Sequence, residues 1–210
     1  MPSQSDIMII SHTKGRGKKI HLLIDNEYKI TTDIDFWAEH YIKDGTEIDE
    51  DEWKELVDAI NYKKAINKCY DLLSRRDHSV KELKTKLLRT VDENNSQKAV
   101  DRMLELGYLD DEKYARTLLN HLINNKNMSA RFIKQEMMKR GVPSEIIANV
   151  LEETEIDNVS SIKELITVKY RNKLLAENGR EKVIAALIRK GFSYNDVKTA
   201  FNELEYEEDV

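Results

Sequence analysis

The sequence predicts a mainly α-helical protein: three tandem three-helix, helix-turn-helix-like repeats form an elongated curved array, preceded by a small α+β segment with a β-hairpin. Helix-forming Leu, Ile, Lys and Glu dominate the 210 residues, whereas Gly (7) and Pro (2) are scarce. Strand-like patterns are confined to the first 60 residues. Beyond them, three segments align without gaps, each fifty residues after the last: His78–Val91, Met128–Gly141 and Asn178–Gly191.

Residues 1–60 are predicted to form the α+β segment. Lys18–Ile24 and Tyr28–Thr32 have strand-like patterns, and the polar stretch 25–27 between them indicates a hairpin turn. Ile7–Ile10 is a candidate third strand, followed by the loose segment Lys14–Gly17. This segment is therefore expected to contain a small antiparallel sheet.

Two helices are expected to complete this segment. Asp33 or Asp35 would cap a short helix that carries Tyr41 on its apolar face and ends at Gly45. The acidic stretch Thr46–Glu52 then leads into a second helix. Its apolar face consists of Trp53, Leu56, Val57 and Ile60.

The first repeat is predicted at residues 61–107. Its first helix has an apolar face from Ile66 to Leu73, and Ser79 with Glu82 forms a capping box for its second. A polar loop, Asp92–Ser96, separates the second helix from the third. The third helix has an apolar face made of Ala99, Val100, Met103, Leu104 and Leu106, and stops at Gly107.

The second repeat, residues 108–157, and the third, residues 158–210, follow the same order. Asp110 or Asp111, Ser129 and Ser144 are expected to begin the helices of the second repeat. In the third, Ser161 with Glu164 forms a capping box, and Gly179 and Asn195 precede the next two helices. Each unit is too small to hold a full core alone, so stacking is expected to bury their shared faces.

Three sets of apolar residues occupy equivalent positions in the middle helices of the repeats. We expect all three sets to belong to the buried face of those helices. The sets are Leu83, Ile133 and Val183; Leu87, Met137 and Leu187; and Leu88, Met138 and Ile188.

The composition fits a cytoplasmic chain. Cys69 is the single cysteine, so no intramolecular disulfide is expected, and its place on an apolar helix face favours a role in the core. No signal peptide is recognisable, and no window approaches the roughly 20 apolar residues that span a bilayer. We expect a monomer that does not associate with membranes.

The sequence gives little support to an enzyme. Its histidines, His12, His21, His40, His78 and His121, are scattered, without the spacing of a helical zinc site. Asp110, Asp111 and Glu112 could suggest a metal site, but carboxylates at a helix start are more often caps. Gly15–Gly17 lacks the spacing of a phosphate-binding loop. No catalytic residue, cofactor or metal is therefore predicted.

Binding is the better-supported class. Residues 61–150 carry an excess of Lys and Arg, whereas both ends are acidic. The cations gather on the second helices of the first two repeats, which resemble helix-turn-helix geometry. The alternative is an ordinary solvated helix surface. The candidate contacts are Arg75, Arg76, Lys84, Lys126, Arg131, Lys134, Lys139 and Arg140. Any DNA contact would be mainly to phosphates and sensitive to salt.

Three stretches resemble a known family. Leu72–Leu83 is similar to the opening of the first repeat of the RecX family, Leu106–Ala115 to the junction of its first and second repeats, and Ser129–Gly141 to the middle helix of its second. The resemblance covers roughly residues 62–205, and the junction motif is its most specific part. Thr90–Val91 departs from the family, which has a glycine at the end of the first middle helix.

The resemblance implies a non-enzymatic regulator in DNA repair, recombination and the SOS response. RecX proteins lodge in the groove of the RecA–DNA filament, inhibit ATP hydrolysis and strand exchange, and limit filament growth. The expected partner is therefore the RecA filament, with possible phosphate contacts to single- or double-stranded DNA. The alternatives are a nucleic-acid-binding helical module without a recombinase partner, and a helical scaffold for another protein.

Overall fold

A computed structural model describes residues 7–208. Residues 1–6 and 209–210, and the side chains of residues 125, 126, 207 and 208, lie outside the described part. The chain divides into two compact units. The N-terminal unit comprises the chain up to Arg75 together with Leu83–Leu106, and the C-terminal unit comprises Arg76–Glu82 and the chain from Gly107 onwards.

The N-terminal unit contains a four-stranded antiparallel sheet in the order β3-β2-β1-β4. The predicted hairpin is confirmed, and Asp25 and Asn26 take the left-handed conformations that suit its tight turn. β1 extends through Lys14, beyond the expected end of the strand, and β4 was not predicted. The strands are β1 (Met8–Lys14), β2 (Lys19–Ile24), β3 (Glu27–Asp33) and β4 (Thr46–Ile48).

The short helix α1 (Ile34–Glu39) follows the sheet directly. Asp33 is its N-cap, because one carboxylate oxygen accepts a hydrogen bond from the Phe36 N–H at 2.7 Å. The helix ends earlier than expected, at Glu39 instead of near Gly45. Tyr41 therefore lies outside the helix and is 60% exposed, so the prediction that placed it on the apolar face was wrong.

Helix α2 (Glu50–Leu73) runs without interruption for 24 residues, across the predicted boundary between residues 60 and 61. Asp49 and Glu52 form a capping box at its start. Leu56 and Ile60 belong to the core beneath the sheet, with Ile10, Ile20, Leu22, Ile24, Phe36, Trp37 and Ile48. Cys69 is fully buried, as predicted, and burial raises the pKa of its thiol to about 11.

Helices α3 (Val80–Leu87) and α4 (Glu93–Glu105) follow. The predicted loop Asp92–Ser96 is instead the capped first turn of α4, since Asp92 accepts the Asn95 N–H at 3.0 Å. Buried Asn95 donates its side-chain amide to Asp58 on α2 at 2.7 Å. Near the end of α4, Leu104 and the C-cap residue Leu106 are each 41% exposed, contrary to the expectation that they were core residues.

The second repeat consists of α5 (Asp111–Lys126), α6 (Ala130–Lys139) and α7 (Ser144–Glu152). Asp110 caps α5 and Ser129 caps α6, as predicted. α5 ends at Lys126, within an asparagine-rich stretch, and its C-cap Asn127 takes the left-handed conformation. The core of this repeat contains Tyr114, Ala115, Leu118, Leu119, Leu122, Ile133, Met137, Val142, Ile147 and Val150.

The first helix of the third repeat begins earlier than predicted. Asp157, not Ser161, caps α8 (Asn158–Glu164), which continues into a π-helical turn, Leu165–Lys169. The remaining helices are α9 (Arg171–Leu174), α10 (Gly179–Arg189) and α11 (Tyr194–Glu208). Their core contains Ile162, Leu165, Ile166, Val183, Leu187, Phe192, Val197, Ala200 and Phe201.

Candidate partner-binding surface

The N-terminus of α6 is anchored by two side chains of the C-terminal unit. The Ser129 hydroxyl accepts the Phe132 N–H at 3.3 Å and donates to the carbonyl oxygen of Lys190 at 3.0 Å. The Ala130 N–H donates to the side-chain oxygen of Asn158 at 3.3 Å. Because these residues join the second repeat to the third, we refer to Ser129, Asn158, Lys190 and Gly191 as the second junction. It satisfies N–H groups that a helix start otherwise leaves unpaired.

The C-terminus of α6 is anchored in the same way. The Ser79 hydroxyl accepts the Glu82 N–H at 3.1 Å and donates to the carbonyl oxygen of Arg140 at 2.5 Å. The Val80 N–H donates to a carboxylate oxygen of Asp111 at 2.9 Å. Ser79, Asp111, Arg140 and Gly141 form the first junction. α6 is therefore held at both ends, which fixes the direction in which its outer side chains point.

Glycine is required where the two junctions close. Gly141 and Gly191 have φ of +80° and +85° and follow α6 and α10 as Schellman caps, with hydrogen bonds such as Val142 N–H to the Met137 carbonyl at 3.1 Å. A Cβ at Gly141 would lie 2.9 Å from the Lys81 Cβ, and one at Gly191 2.6 Å from the Phe132 ring. A side chain at either position would clash.

The first middle helix ends differently, which explains its departure from the family pattern. After α3, both the Thr90 and Val91 N–H groups donate to the Leu87 carbonyl, at 2.7 and 3.0 Å. Val91 does not adopt a positive φ and is buried. This exit therefore needs no glycine.

Asp111 has a role that the sequence analysis missed. It was considered as the cap of its own helix or as a metal ligand, but Asp110 caps α5 while Asp111 caps α3. Partial burial raises the pKa of the Asp111 carboxyl, and the hydrogen bond from Val80 opposes that shift. Its position directly after a capping aspartate gave no signal of a contact 31 residues away.

With both ends held, α6 presents a cationic outer face. Arg131, Lys134 and Lys139 are exposed, and among the described residues no carboxylate lies within ion-pair distance of them. Met138 lies on the same helix and is 52% exposed. We call these four residues the α6 face. It combines unneutralised positive charge with an accessible apolar side chain.

Four of the other predicted contact residues are already paired with carboxylates. Arg75 contacts Asp71 at 2.7 Å, Lys84 contacts Glu93 at 3.4 Å and Arg140 contacts Glu136 at 2.9 Å. Arg76 binds both carboxylate oxygens of Glu82, at 3.0 and 2.5 Å, and this hydrogen bonding raises the pKa of its guanidinium. Lys126 is the last residue of α5, and its side chain lies outside the described part.

One apolar position of the repeat is on the surface in all three copies. Leu88, Met138 and Ile188 are 47%, 52% and 41% exposed, so the prediction that they lie on the buried face was wrong. The other two equivalent sets are fully buried. A residue next to a core position in sequence points about 100° away from it on a helix, beyond the width of the buried stripe.

A groove in the third repeat has a volume of about 430 Å³. It is lined by Ile166, Thr167, Arg171, Leu174, Arg180, Phe201, Leu204 and Glu205. The Arg180 guanidinium packs over the Phe201 ring, 4.6 Å from its centroid, and is paired with Glu205. The groove is therefore lined by an ion pair stacked on an aromatic ring. Acid–base chemistry instead uses two titratable groups whose environments drive their pKa values apart.

Residues 7–208 contain neither a metal-binding cluster nor a membrane-spanning helix. No group of three or more His, Cys, Asp or Glu side chains there is arranged to hold a metal ion. No helix in that range combines the length and the apolar character needed to cross a bilayer.

Family models match two parts of the chain. Residues 65–103 match "RecX, first three-helix domain" and residues 110–151 match "RecX, second three-helix domain". The first range contains α3 and most of α4, and the second contains α5, α6 and all but the last residue of α7.

Curated relatives match over most of the chain. "Regulatory protein RecX" of Caldanaerobacter subterraneus is 32% identical over 193 residues, which is 89% of this chain and 94% of the relative. The protein of the same name from Clostridioides difficile is 26% identical over 93% of both chains. That from Streptococcus sanguinis is 28% identical over 92% of this chain and 76% of its own length. All three relatives are named regulatory proteins.

Solved structures match in fold. A crystal structure of regulatory protein RecX superposes with a TM-score of 0.63 at 19% identity, over 93% of this chain and 99% of the other. That of RecX from Lactobacillus salivarius gives 0.61 at 23% identity, over 70% of this chain and 99% of the other. The predicted class, helical three-helix repeats behind a small sheet, is confirmed.

Proposed function

Because the chain belongs to the RecX family, we propose that it binds a RecA recombinase–DNA filament and mainly inhibits its ATPase, strand exchange and growth. The α6 face carries this proposal. Arg131, Lys134 and Lys139 are unneutralised cations beside the exposed Met138. Arginine and methionine are enriched in protein interfaces, and unpaired cations attract an acidic or polyanionic partner.

The anchoring of α6 supports a protein partner. Because both ends of the helix are fixed by hydrogen bonds, little further ordering of its backbone is needed when a partner binds. The exposed apolar position recurs in each repeat, at Leu88, Met138 and Ile188. Phosphates make no favourable contact with these apolar side chains, whereas a protein surface can pack against them.

The remaining parts of the proposal concern organisation and setting. We propose that residues 61–107, 108–157 and 158–210 act as three repeats, and that several modest contacts add up through high effective concentration. The protein would work as a cytoplasmic monomer in the regulation of DNA repair, recombination and the SOS response. It would act by binding, without a reaction of its own.

The test is a titration of the protein into the single-strand-dependent ATPase of RecA. Wild-type protein is expected to inhibit at or below stoichiometric amounts. Arg131→Ala/Lys134→Ala should weaken inhibition about tenfold, since two charged interface contacts are lost. Arg102→Ala/Lys113→Ala removes the same charge elsewhere and should inhibit like wild type. Full ATPase activity at excess wild-type protein would refute the proposal.

The unpaired cations of α6 also favour a second candidate, a nucleic-acid-binding helical module without a recombinase partner. It predicts salt-dependent DNA binding by the chain alone, lost in Arg131→Ala/Lys134→Ala, together with an unchanged RecA ATPase. Measuring both properties on the same variant separates the two candidates.

A further inference from the structure

One face of the N-terminal sheet is left open to solvent. Ile10, Leu22 and Ile24 point from the strands into the core, so their neighbours along each strand point the other way. Strand pairing places two rows of residues across this outer face: Ser11, Leu23 and Tyr28, and Thr13, His21 and Thr31.

Two rings form a supported platform on this face. His21 and Tyr28 meet edge to face, with 5.7 Å between their centroids. Both are fixed by the Thr31 hydroxyl, which lies 2.7 Å from His21 Nδ1 and 3.1 Å from the Tyr28 hydroxyl. Tyr28 is nevertheless 61% exposed. A ring held in place and open to solvent offers a stacking surface with little entropy left to lose.

A cluster of cations borders the platform. Arg16 and Lys18 lie in the β1–β2 turn, Lys19 begins β2 on the same face as His21, and all three are exposed. Among the described residues none of them has a carboxylate within ion-pair distance. Asp33, opposite Lys19 in the sheet, is instead occupied as the cap of α1. The charge of this hairpin is therefore available to a ligand.

The hairpin and the platform are in direct contact. A Cβ built on Gly15 would lie 2.6 Å from His21 Nε2, so the hairpin backbone rests on that ring. The acidic groups Asp25 and Glu27 lie at the opposite end of the sheet, where Glu27 neutralises Lys29. Positive charge is thus concentrated at one end of the aromatic platform.

We propose that this outer face binds single-stranded DNA, with phosphates at the hairpin cations and bases stacked on Tyr28 and His21. Aromatic rings beside a positively charged path are how proteins bind single strands without reading sequence. Three adjacent strands are roughly 10 Å wide, which is room for about two or three bases. A duplex keeps its bases paired and stacked, so it would lose the contact with the rings. The choice of DNA over RNA rests on the proposed function.

Binding of the full-length protein to fluorescein-labelled oligothymidylate, measured by anisotropy at several salt concentrations without RecA, tests this proposal. Arg16→Ala/Lys18→Ala/Lys19→Ala should lower the slope of log affinity against log salt by about 2, since each phosphate contact contributes about 0.7. Tyr28→Ala should weaken binding roughly tenfold, whereas Tyr28→Phe keeps the ring, loses only its bond to Thr31, and should retain most of the affinity.

Matched variants make the result decisive. Lys54→Ala/Lys68→Ala/Arg102→Ala removes the same charge from helices of the same unit and should keep the wild-type salt slope. No binding to the oligonucleotide, or hairpin variants that bind like wild type, would overturn the proposal. Tighter binding to oligouridylate would overturn the assignment to DNA. The RecA ATPase titration is read separately, so failure of either proposal leaves the other standing.

Discussion

The two junctions of the C-terminal unit share one geometry but differ in chemistry. In each, a serine at a helix start donates its hydroxyl to a carbonyl 61 residues later, and a glycine follows that carbonyl. The remaining cap is a partly buried carboxylate in the first junction, Asp111, and an amide in the second, Asn158. The same backbone arrangement therefore forms with either capping residue. Only the junction capped by a carboxylate has a capping group whose charge changes with pH.

The surroundings of the two capping groups also differ. The Asn158 amide nitrogen donates to Asp196 at 3.2 Å, so it bridges a helix start and a neighbouring carboxylate. The pKa of Asp111 is raised mainly by burial, and the like charge of the adjacent Asp110 raises it further by a smaller amount. An amide suits the second junction because it donates and accepts at once. A carboxylate can serve only in the first.

The largest effect is expected at the glycines, where the two junctions should behave alike. Gly191→Ala should lower the free energy of unfolding by about 3 kcal/mol, since it adds a clash with Phe132 to the cost of the left-handed conformation. Gly107→Ala is the control: its φ is +70° but nothing lies within 4 Å of the added Cβ, so about 1–2 kcal/mol is expected. Chemical denaturation measures both. Equal losses would show that the close approach at Gly191 can relax.

Exchanging the capping groups tests the difference directly. Asn158→Asp should cost about 2 kcal/mol at neutral pH, because a carboxylate cannot donate to Asp196 and repels it. Asn158→Ala removes the cap without adding charge and should cost less. Urea unfolding of both variants gives the comparison. If Asn158→Asp lowers the free energy of unfolding less than Asn158→Ala does, repulsion by Asp196 is not the reason for an amide at this position.

The limits of the sequence analysis follow from the same chemistry. Hydrophobic period and local caps predicted the repeat, the hairpin and the starts of α5 and α6, because those signals lie within a few residues of the element. The contacts of Ser79 and Asp111 across the junctions connect residues 61 and 31 positions apart and leave no local pattern.

The candidate surface was predicted only in part. Sequence spacing identified the cations of α6 and places a carboxylate four residues before Arg75 and Arg140, but the partners of Arg76 and Lys84 lie six and nine residues away, outside helical spacing. Ion pairing depends on side-chain conformation, which residue type does not fix. The exposure of Met138 was missed for another reason: consecutive apolar residues were assigned to one helix face although only Met137 reaches the core.

The serine hydroxyls should have similar, smaller effects. Ser79→Ala and Ser129→Ala each remove a helix cap and a bond to a backbone carbonyl, and each is expected to cost about 1 kcal/mol. Ser144→Ala serves as control, because that residue is exposed at the start of α7, where no side-chain cap is made. Thermal unfolding of the three variants ranks them. A loss confined to one junction would contradict their equivalence.

The smallest effect, and the one that separates the junctions by pH, is expected for Asp111→Asn. Burial raises the pKa of Asp111 above 3.8, so the folded state keeps its proton to a higher pH than the unfolded chain does. The contribution of Asp111 to stability is therefore fully present below pH 3.8 and declines as pH rises through the folded pKa. Asn can still accept the Val80 N–H but does not titrate.

The difference in unfolding free energy, Asp111→Asn minus wild type, should therefore rise with pH across that window, by less than about 1 kcal/mol. Asp92→Asn should give the opposite sign, since hydrogen bonds from Asn95 lower the pKa of Asp92 and its contribution grows as pH rises. Urea midpoints measured between acid and neutral pH test both variants. If the urea midpoints of Asp111→Asn and wild type change in parallel with pH, the Asp111 carboxylate is no less hydrated in the folded protein than in the unfolded chain. In that case the two junctions differ only in which residue fills the capping position.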